Sequence, residues 1–373
     1  MVLGLLTALL ASALVFRSWL GAQWEAVVVL STTNHTAVVT WTVERLTDEP
    51  RAAEVEVAGQ AATLVRPGEG GPWPALVFVN GATELGHLHP KVQALARGLA
   101  RAGYLVLVPE LPGLRDGEIT TRTLDATIAI AEAAASRPDV RRGRVGLVGV
   151  SVGAGLALAA AEDPSIARRI SLVAGIAPYA DLAGVVRLAT TGYYRENGRL
   201  VRYEGDRFIS LVAARSLIAA LPIGPGRTRL LAELGTTAEN PPNPLGPLRT
   251  TPSGILGHRA RAVVRLLANG DPRRFDALYA ALPASIRAGV RRLSPLSEPS
   301  NLEAPVELAT APHDKYFPPE ESEDLAAAAP DVDVTITRTL AHAIPEPSLR
   351  DIRDLFRFDA FVVRALHTAS ADA

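Results

Sequence analysis

Gly149-Val150-Ser151-Val152-Gly153 is a G-x-S-x-G pentapeptide. A serine hydroxyl is a poor nucleophile until a base takes its proton, and a neutral imidazole oriented by a carboxylate is suited to that near pH 7. The pentapeptide follows an apolar run, RVGLVGV, and precedes an alanine-rich one, AGLALAAAE. A serine on so sharp a strand-to-helix turn is held in a strained conformation above the sheet, and glycines two places on either side keep side chains out of the elements they join. The turn also sets the Val152 N–H and the positive end of the following helix where an oxyanion would form. The bland alternative is a Gly-rich turn without chemistry.

The elements that would position this serine alternate along the chain. Residues 54–59 and 61–67 read as a hairpin, and 75–81, 104–110, 144–150 and 170–178 as further strands. Apolar-periodic helices lie between them near 90–102, 120–136 and 153–162, as parallel strands require for their crossovers. Residues 182–294 break the rhythm with helical patterns and a Pro-rich loop and show no strand signal. Strands resume at 305–311 and 332–340, and a helix over about 347–368 closes the chain. The expected fold class is α/β: a mostly parallel sheet with helices on both faces and a helical cap insertion. The expected units are 1–24, a hydrophobic anchor or signal; 25–53, a connection; 54–181, the first part of the core; 182–294, the cap; and 295–373, the second part.

The chain has 373 residues, a formal net charge of −1 and 48% hydrophobic residues, the balance of a folded core rather than a disordered chain. It lacks the positive field that would hold a nucleic acid. Without cysteine, disulfides, thiolate metal sites and a cysteine nucleophile are excluded. Lys91 and Lys315 are its two lysines. Met1–Phe16 is uncharged, and as a helix it would be about 24 Å long, short of a roughly 30 Å hydrocarbon core unless Arg17 snorkels and Trp19 and Trp24 sit at the interface. A single membrane anchor is expected, with its orientation open. The rivals are a cleaved signal and a buried helix, with secreted or cytoplasmic location as the alternatives. Residues 26–43, rich in Val and Thr, read as strands or an amphipathic connection.

With Ser151 in that setting, the chain resembles the α/β-hydrolase superfamily, specifically its capped serine hydrolases, over roughly residues 54–368. The resemblance implies an acid after the strand that follows the cap, and PVELATAPHDKYFPP supplies Asp314, although Ala311 stands where the family has Gly or His. It implies a histidine after the last strand, and VDVTITRTLAHAIP supplies His342. The order Ser151, Asp314, His342 is the one this fold uses. Asp181 is the reserve acid, and a helix cap is the plain alternative for Asp314. A second oxyanion N–H is implied after ALVFVN, where Asn80-Gly81 replaces the usual His-Gly. Ala82 is the expected donor, with Thr83 beside it. Serine at the elbow separates the chain from relatives that use aspartate or cysteine there. The implied activity is cleavage of a carboxylic ester or related acyl bond through an acyl-serine, on a small-molecule or lipid-like substrate, without metal or organic cofactor. Thioesterase, peptidase, haloperoxidase-like and acyltransferase activities stand behind it, with a non-catalytic membrane-attached binding protein as the rival class. Oligomeric state is left open.

Other candidates carry less. His87 and His89 form an H-x-H pair without a defined third ligand, so pocket rim or plain loop is the reading. His313 adjoins Asp314 on one loop and is not expected to act as base. Glu110 is expected to bond its local loop. Gly146, Gly149, Gly153 and Gly155 lack the Lys-Ser/Thr pair and the spacing of a phosphate loop. Arg202, Arg207, Arg261 and Arg265 read as solvated cap faces, with Leu211, Leu217 and Leu221 covering the pocket.

Overall fold

The strands read from the sequence alternate their side chains between two cores. In β3 (Trp73–Val79), Ala75, Val77 and Val79 enter one apolar cluster while Leu76 and Phe78 enter another. β4 (Leu105–Pro109) does the same with Leu105 and Leu107 against Val106 and Val108. Strands covered on both faces need continuous apolar runs with a period-two division of labour. The chain, a computed structural model, is described over residues 19–31, 37–237, 239–252, 256–342, 344–345 and 351–372.

β1 (Arg51–Val57) and β2 (Gln60–Arg66) form an antiparallel hairpin with Val57 opposite Gln60. Its two turn residues, Ala58 and Gly59, both have positive φ, as a two-residue loop with matching twist requires. With β5 (Val140–Val150), β6 (Ile170–Ile176), β9 (Val306–Thr310) and β10 (Val332–Ile336) they complete an eight-stranded sheet of order β1-β2-β4-β3-β5-β6-β9-β10. β3 through β10 along that order, with β4, run parallel. One face carries α4 (Thr121–Ala135) and α5 (Val152–Ala161). The other carries α3 (Pro90–Arg101) and α14 (Ile352–Asp372). Every residue of α5 is buried, so this helix shows no polar face.

Between β6 and β9 the chain forms α6 (Leu182–Thr191), α7 (Phe208–Ala219), α8 (Pro225–Leu234) and shorter helices up to α12 (Ala284–Arg292). It leaves and re-enters the core at one place, where Leu296 N–H donates to Ala180 O at 3.0 Å and Leu182 N–H to Ser294 Oγ at 3.0 Å. The absence of strands expected there does not hold. β7 (Tyr193–Glu196) and β8 (Arg199–Arg202) form a hairpin around the positive-φ pair Asn197-Gly198. Four-residue strands are too short to show an alternation, and the Asn-Gly pair was their one readable signal.

The N-terminal expectation is corrected. Among the described residues no helix is long and apolar enough to cross a membrane, so the anchor over 1–24 is not supported, and residues 1–18 of it lie outside the described residues. Residues 19–31 (α1) and Ala37–Leu46 (α2) are helical, so the described residues within 26–43 are not strands. Ala22, Ala26 and Val29 fall on one helical face and pack with Leu99 of α3 and Val363 and Leu366 of α14. Glu25 accepts a hydrogen bond from the buried Tyr104 hydroxyl at 2.7 Å, while Trp19 and Trp24 face outward. The β-branched residues are tolerated in a helix because packing on this face outweighs their weak propensity.

One core carboxyl sets a pH dependence of stability. Burial, reinforced by the Glu298 carboxylate, pushes Glu162 up to about 9, and its Oε1 has no hydrogen-bond partner among the described residues. A carboxyl raised above its ordinary 4.5 binds more protons in the folded than in the unfolded chain between those values, so stability falls as pH climbs through that window. Thermal unfolding between pH 5 and pH 9 is expected to show a falling midpoint in the native protein. Glu162→Gln, neutral throughout, is expected to flatten that fall.

Candidate active site

Ser151 caps α5 from a backbone at φ 57° and ψ −129°, a region that L residues occupy only under constraint. The constraint comes from both sides. Ser151 N–H donates to Ile176 O at 2.8 Å, fixing the end of β5 to β6. A Cβ placed on Gly153 would lie 2.2 Å from Val79 O and 2.4 Å from Asn80 O, so only glycine lets α5 begin directly against the end of β3. Gly153→Ala is therefore expected to destabilise the fold by about 1–3 kcal/mol. It should also slow Ser151 acylation, because backbone rather than a flexible side chain must move. Denaturant unfolding beside the rate of fluorophosphonate labelling checks both.

Asp314 follows β9 and is 2% exposed. Its Oδ1 accepts the N–H groups of Tyr316 at 2.8 Å and Phe317 at 3.1 Å, which fold the loop around the carboxylate. Its two oxygens lie 2.9 and 2.8 Å from His342 Nδ1. His342 is 6% exposed with φ 55°. Its ring meets the edge of Tyr316 at 4.4 Å between centroids and 85° between planes, which fixes the ring's orientation. The other ring nitrogen, Nε2, is buried without a partner among the described residues. Ser151 stands with His342 on the wall of one cavity of about 410 Å³, together with Asn80, Gly81, Ala82 and Val152. No Ser151 Oγ–His342 Nε2 hydrogen bond joins them, and such bonds often close only when substrate arrives.

The Val152 N–H is the first of α5 and has no acceptor within its own helix. A Cβ on Gly81 would lie 3.4 Å from Ser151 Cβ, so the loop bearing Ala82 runs against Ser151. Asn80 is 1% exposed and its Nδ2 donates to Gly81 O at 3.0 Å, tying the turn locally. His87 corrects the expectation of a rim or plain loop. It is buried, with Nδ1 2.6 Å from Glu110 Oε2 and Nε2 3.3 Å from Glu54 Oε2. Arg115 pairs with the same Glu110 at 2.8 Å. This cluster pins the loop after β3 to β1 and β4. The sequence offered no signal for it, because its four members come from β1, the loop after β3 and the segment after β4.

Asp181, the reserve acid, caps α6 through Ala183 N–H at 3.0 Å, and His313 lies exposed on its loop. Val152, Ile209, Val212 and Phe317 also bound a second cavity of about 660 Å³ beneath the cap, lined further by Tyr179, Val186, Leu217 and Ile286. Among the described residues no group of three or more His, Asp or Glu could hold a metal.

Residues 60–220 match the X-Pro dipeptidyl-peptidase (S15) family, a match that includes the elbow and the loop after β3. The chain has the α/β-hydrolase fold. The match covers less than half of its length and falls short of membership of the S15 family itself. A comparison with curated proteins found no match. Among solved structures the chain is similar to Pyrococcus horikoshii acylaminoacyl peptidase at 16% identity and TM-score 0.47, over 86% of this chain and 42% of that one. It is also similar to mouse alpha/beta hydrolase domain-containing protein 10, at 18% identity and TM-score 0.45 over 85% and 99% of the two chains. The third is Mycobacterium smegmatis proline iminopeptidase, at 16% identity and TM-score 0.44 over 86% and 99%. The chain thus spans about two fifths of the acylaminoacyl peptidase.

Proposed function

We propose that the protein cleaves a carboxylic ester or related acyl bond through an acyl-serine intermediate. Ser151 attacks the acyl carbon, His342 takes its proton and returns it to the leaving group, and Asp314 holds the imidazole in the tautomer with Nε2 free. The Val152 and Ala82 N–H groups bind the oxyanion. Water then attacks the acyl-serine with His342 again as base. One observation carries this reading: a histidine locked by a buried carboxylate, its Nε2 buried and unpartnered among the described residues, lines the same cavity as the strained serine.

A second reading is favoured by the S15 match, in which the bond cleaved is a peptide amide. The same residues serve both, since amide cleavage differs in needing His342 to protonate a poorer leaving group. Kinetics on matched 4-nitrophenyl esters and 4-nitroanilides of the same acyl groups tests the pair. The ester reading expects a burst of 4-nitrophenol and little turnover of the anilides. Comparable kcat/KM on both series would move the assignment to peptide-like amides, and turnover of neither would remove the acyl-serine reading.

A further inference from the structure

We infer that the substrate carries a negative charge beside its scissile acyl group and that Lys91 and Lys315 receive it, an inference that rests on the acyl-serine reading above. The chain holds 38 lysines and arginines, of which Lys91 and Lys315 are the lysines. Both stand on the wall of the cavity that holds Ser151 and His342. They arrive from separate elements, Lys91 from the first turn of α3 and Lys315 from the loop after β9. Two exposed lysines lining one cavity, in a chain that otherwise uses arginine for its cations, have no account in composition.

Local structure does not account for them either. Lys91 is the second residue of α3, where the helix dipole opposes a cation. Arginines supply the structural ion pairs, such as Arg364 with Glu307 and Arg215 with Glu118. Among the described residues neither lysine is in an ion pair, and Lys315 Nζ rests 4.9 Å from the centre of the Tyr316 ring whose edge meets His342. The described wall of this cavity carries no Asp or Glu, because Asp314 is buried behind His342. Burial and the Lys91 charge hold His89 on the same wall below its ordinary value, which favours its neutral form. The remaining wall is apolar, with Phe78, Val92, Leu95, Phe208, Ile209 and Val212. An acyl compound with an apolar body and a carboxylate fits both halves, and an ammonium suits a carboxylate as a point charge without demanding a bidentate geometry.

The test compares kcat/KM for mono-4-nitrophenyl glutarate with that for 4-nitrophenyl valerate, two esters of matched length that differ by the carboxylate. Native protein is expected to prefer the glutarate. Lys91→Gln and Lys315→Gln are each expected to lower the ratio about fivefold to tenfold, with Lys→Arg at either position restoring most of it. Raising NaCl to half-molar should shrink the preference, because partly exposed charges are screened. In parallel, calorimetry follows glutarate monoamide binding to the Ser151→Ala protein with and without the lysine changes. Lysine-dependent binding without hydrolysis of either ester would overturn the acyl-serine reading and leave the anion site standing. A substrate ratio and a monoamide affinity that neither lysine moves would overturn the inference.

Discussion

Replacing Ser151 by alanine is expected to lower kcat by about a million-fold and to abolish labelling by a fluorophosphonate, with unfolding free energy nearly unchanged. The backbone strain at φ 57° is imposed by the bond to Ile176 O and by the contact of Gly153 with β3, and neither involves the hydroxyl. Alanine keeps the Cβ and the elbow. Any rate left over water would come from the Val152 and Ala82 N–H groups and from binding, since oxyanion stabilisation survives loss of the nucleophile. Labelling that persists in Ser151→Ala would assign the nucleophile elsewhere.

Asp314→Asn is expected to cost about ten-thousand-fold in kcat while leaving the fold intact, for a reason written in its hydrogen bonds. The carboxamide oxygen can still accept from Tyr316 and Phe317 N–H, so the loop keeps its shape. Its NH2 group, however, would donate towards His342 Nδ1, where the carboxylate now accepts. The imidazole proton is then driven to Nε2, and the base presents a donor where an acceptor is needed. Fluorophosphonate labelling of Ser151 should slow in parallel and recover towards high pH less than tenfold. A variant with kcat within tenfold of native would show that Asp314 is a loop cap without a part in proton transfer, the plain alternative for that position.

Much of this arrangement is legible in the sequence. The elbow announced itself because an apolar strand, a glycine-flanked serine and an alanine-rich helix are contiguous, and local sequence dictates that turn. Asp314 and His342 were legible through their resemblance to a family order, and the structure sets them in direct contact. What escaped reading was everything decided between distant elements. The clamp of His87 by Glu54 and Glu110 joins positions 54, 87 and 110. Residues 26–31, which end the helix over 19–31, read as a strand or an amphipathic connection by composition, because their β-branched residues hide the helical period until a partner surface is known. The hairpin at 193–202 was hidden by the brevity of its strands.

That hairpin bears on how the cap could be exchanged. From the segment that closes it, the Tyr203 hydroxyl donates to Asp314 O and, at 3.3 Å, to Phe317 O, while Asp206 N–H donates to Lys315 O at 2.6 Å. From β7, the Tyr194 hydroxyl reaches Glu320 at 3.0 Å. The insertion therefore supports the loop that presents the acid as well as roofing the cavity. A graft that imported a foreign cap for a new specificity would remove the scaffold of Asp314 in the same operation. Recombination at this boundary is tolerable only if the crossover lies beyond Asp206, so that the hairpin travels with the core it braces and the helices after it become the interchangeable part.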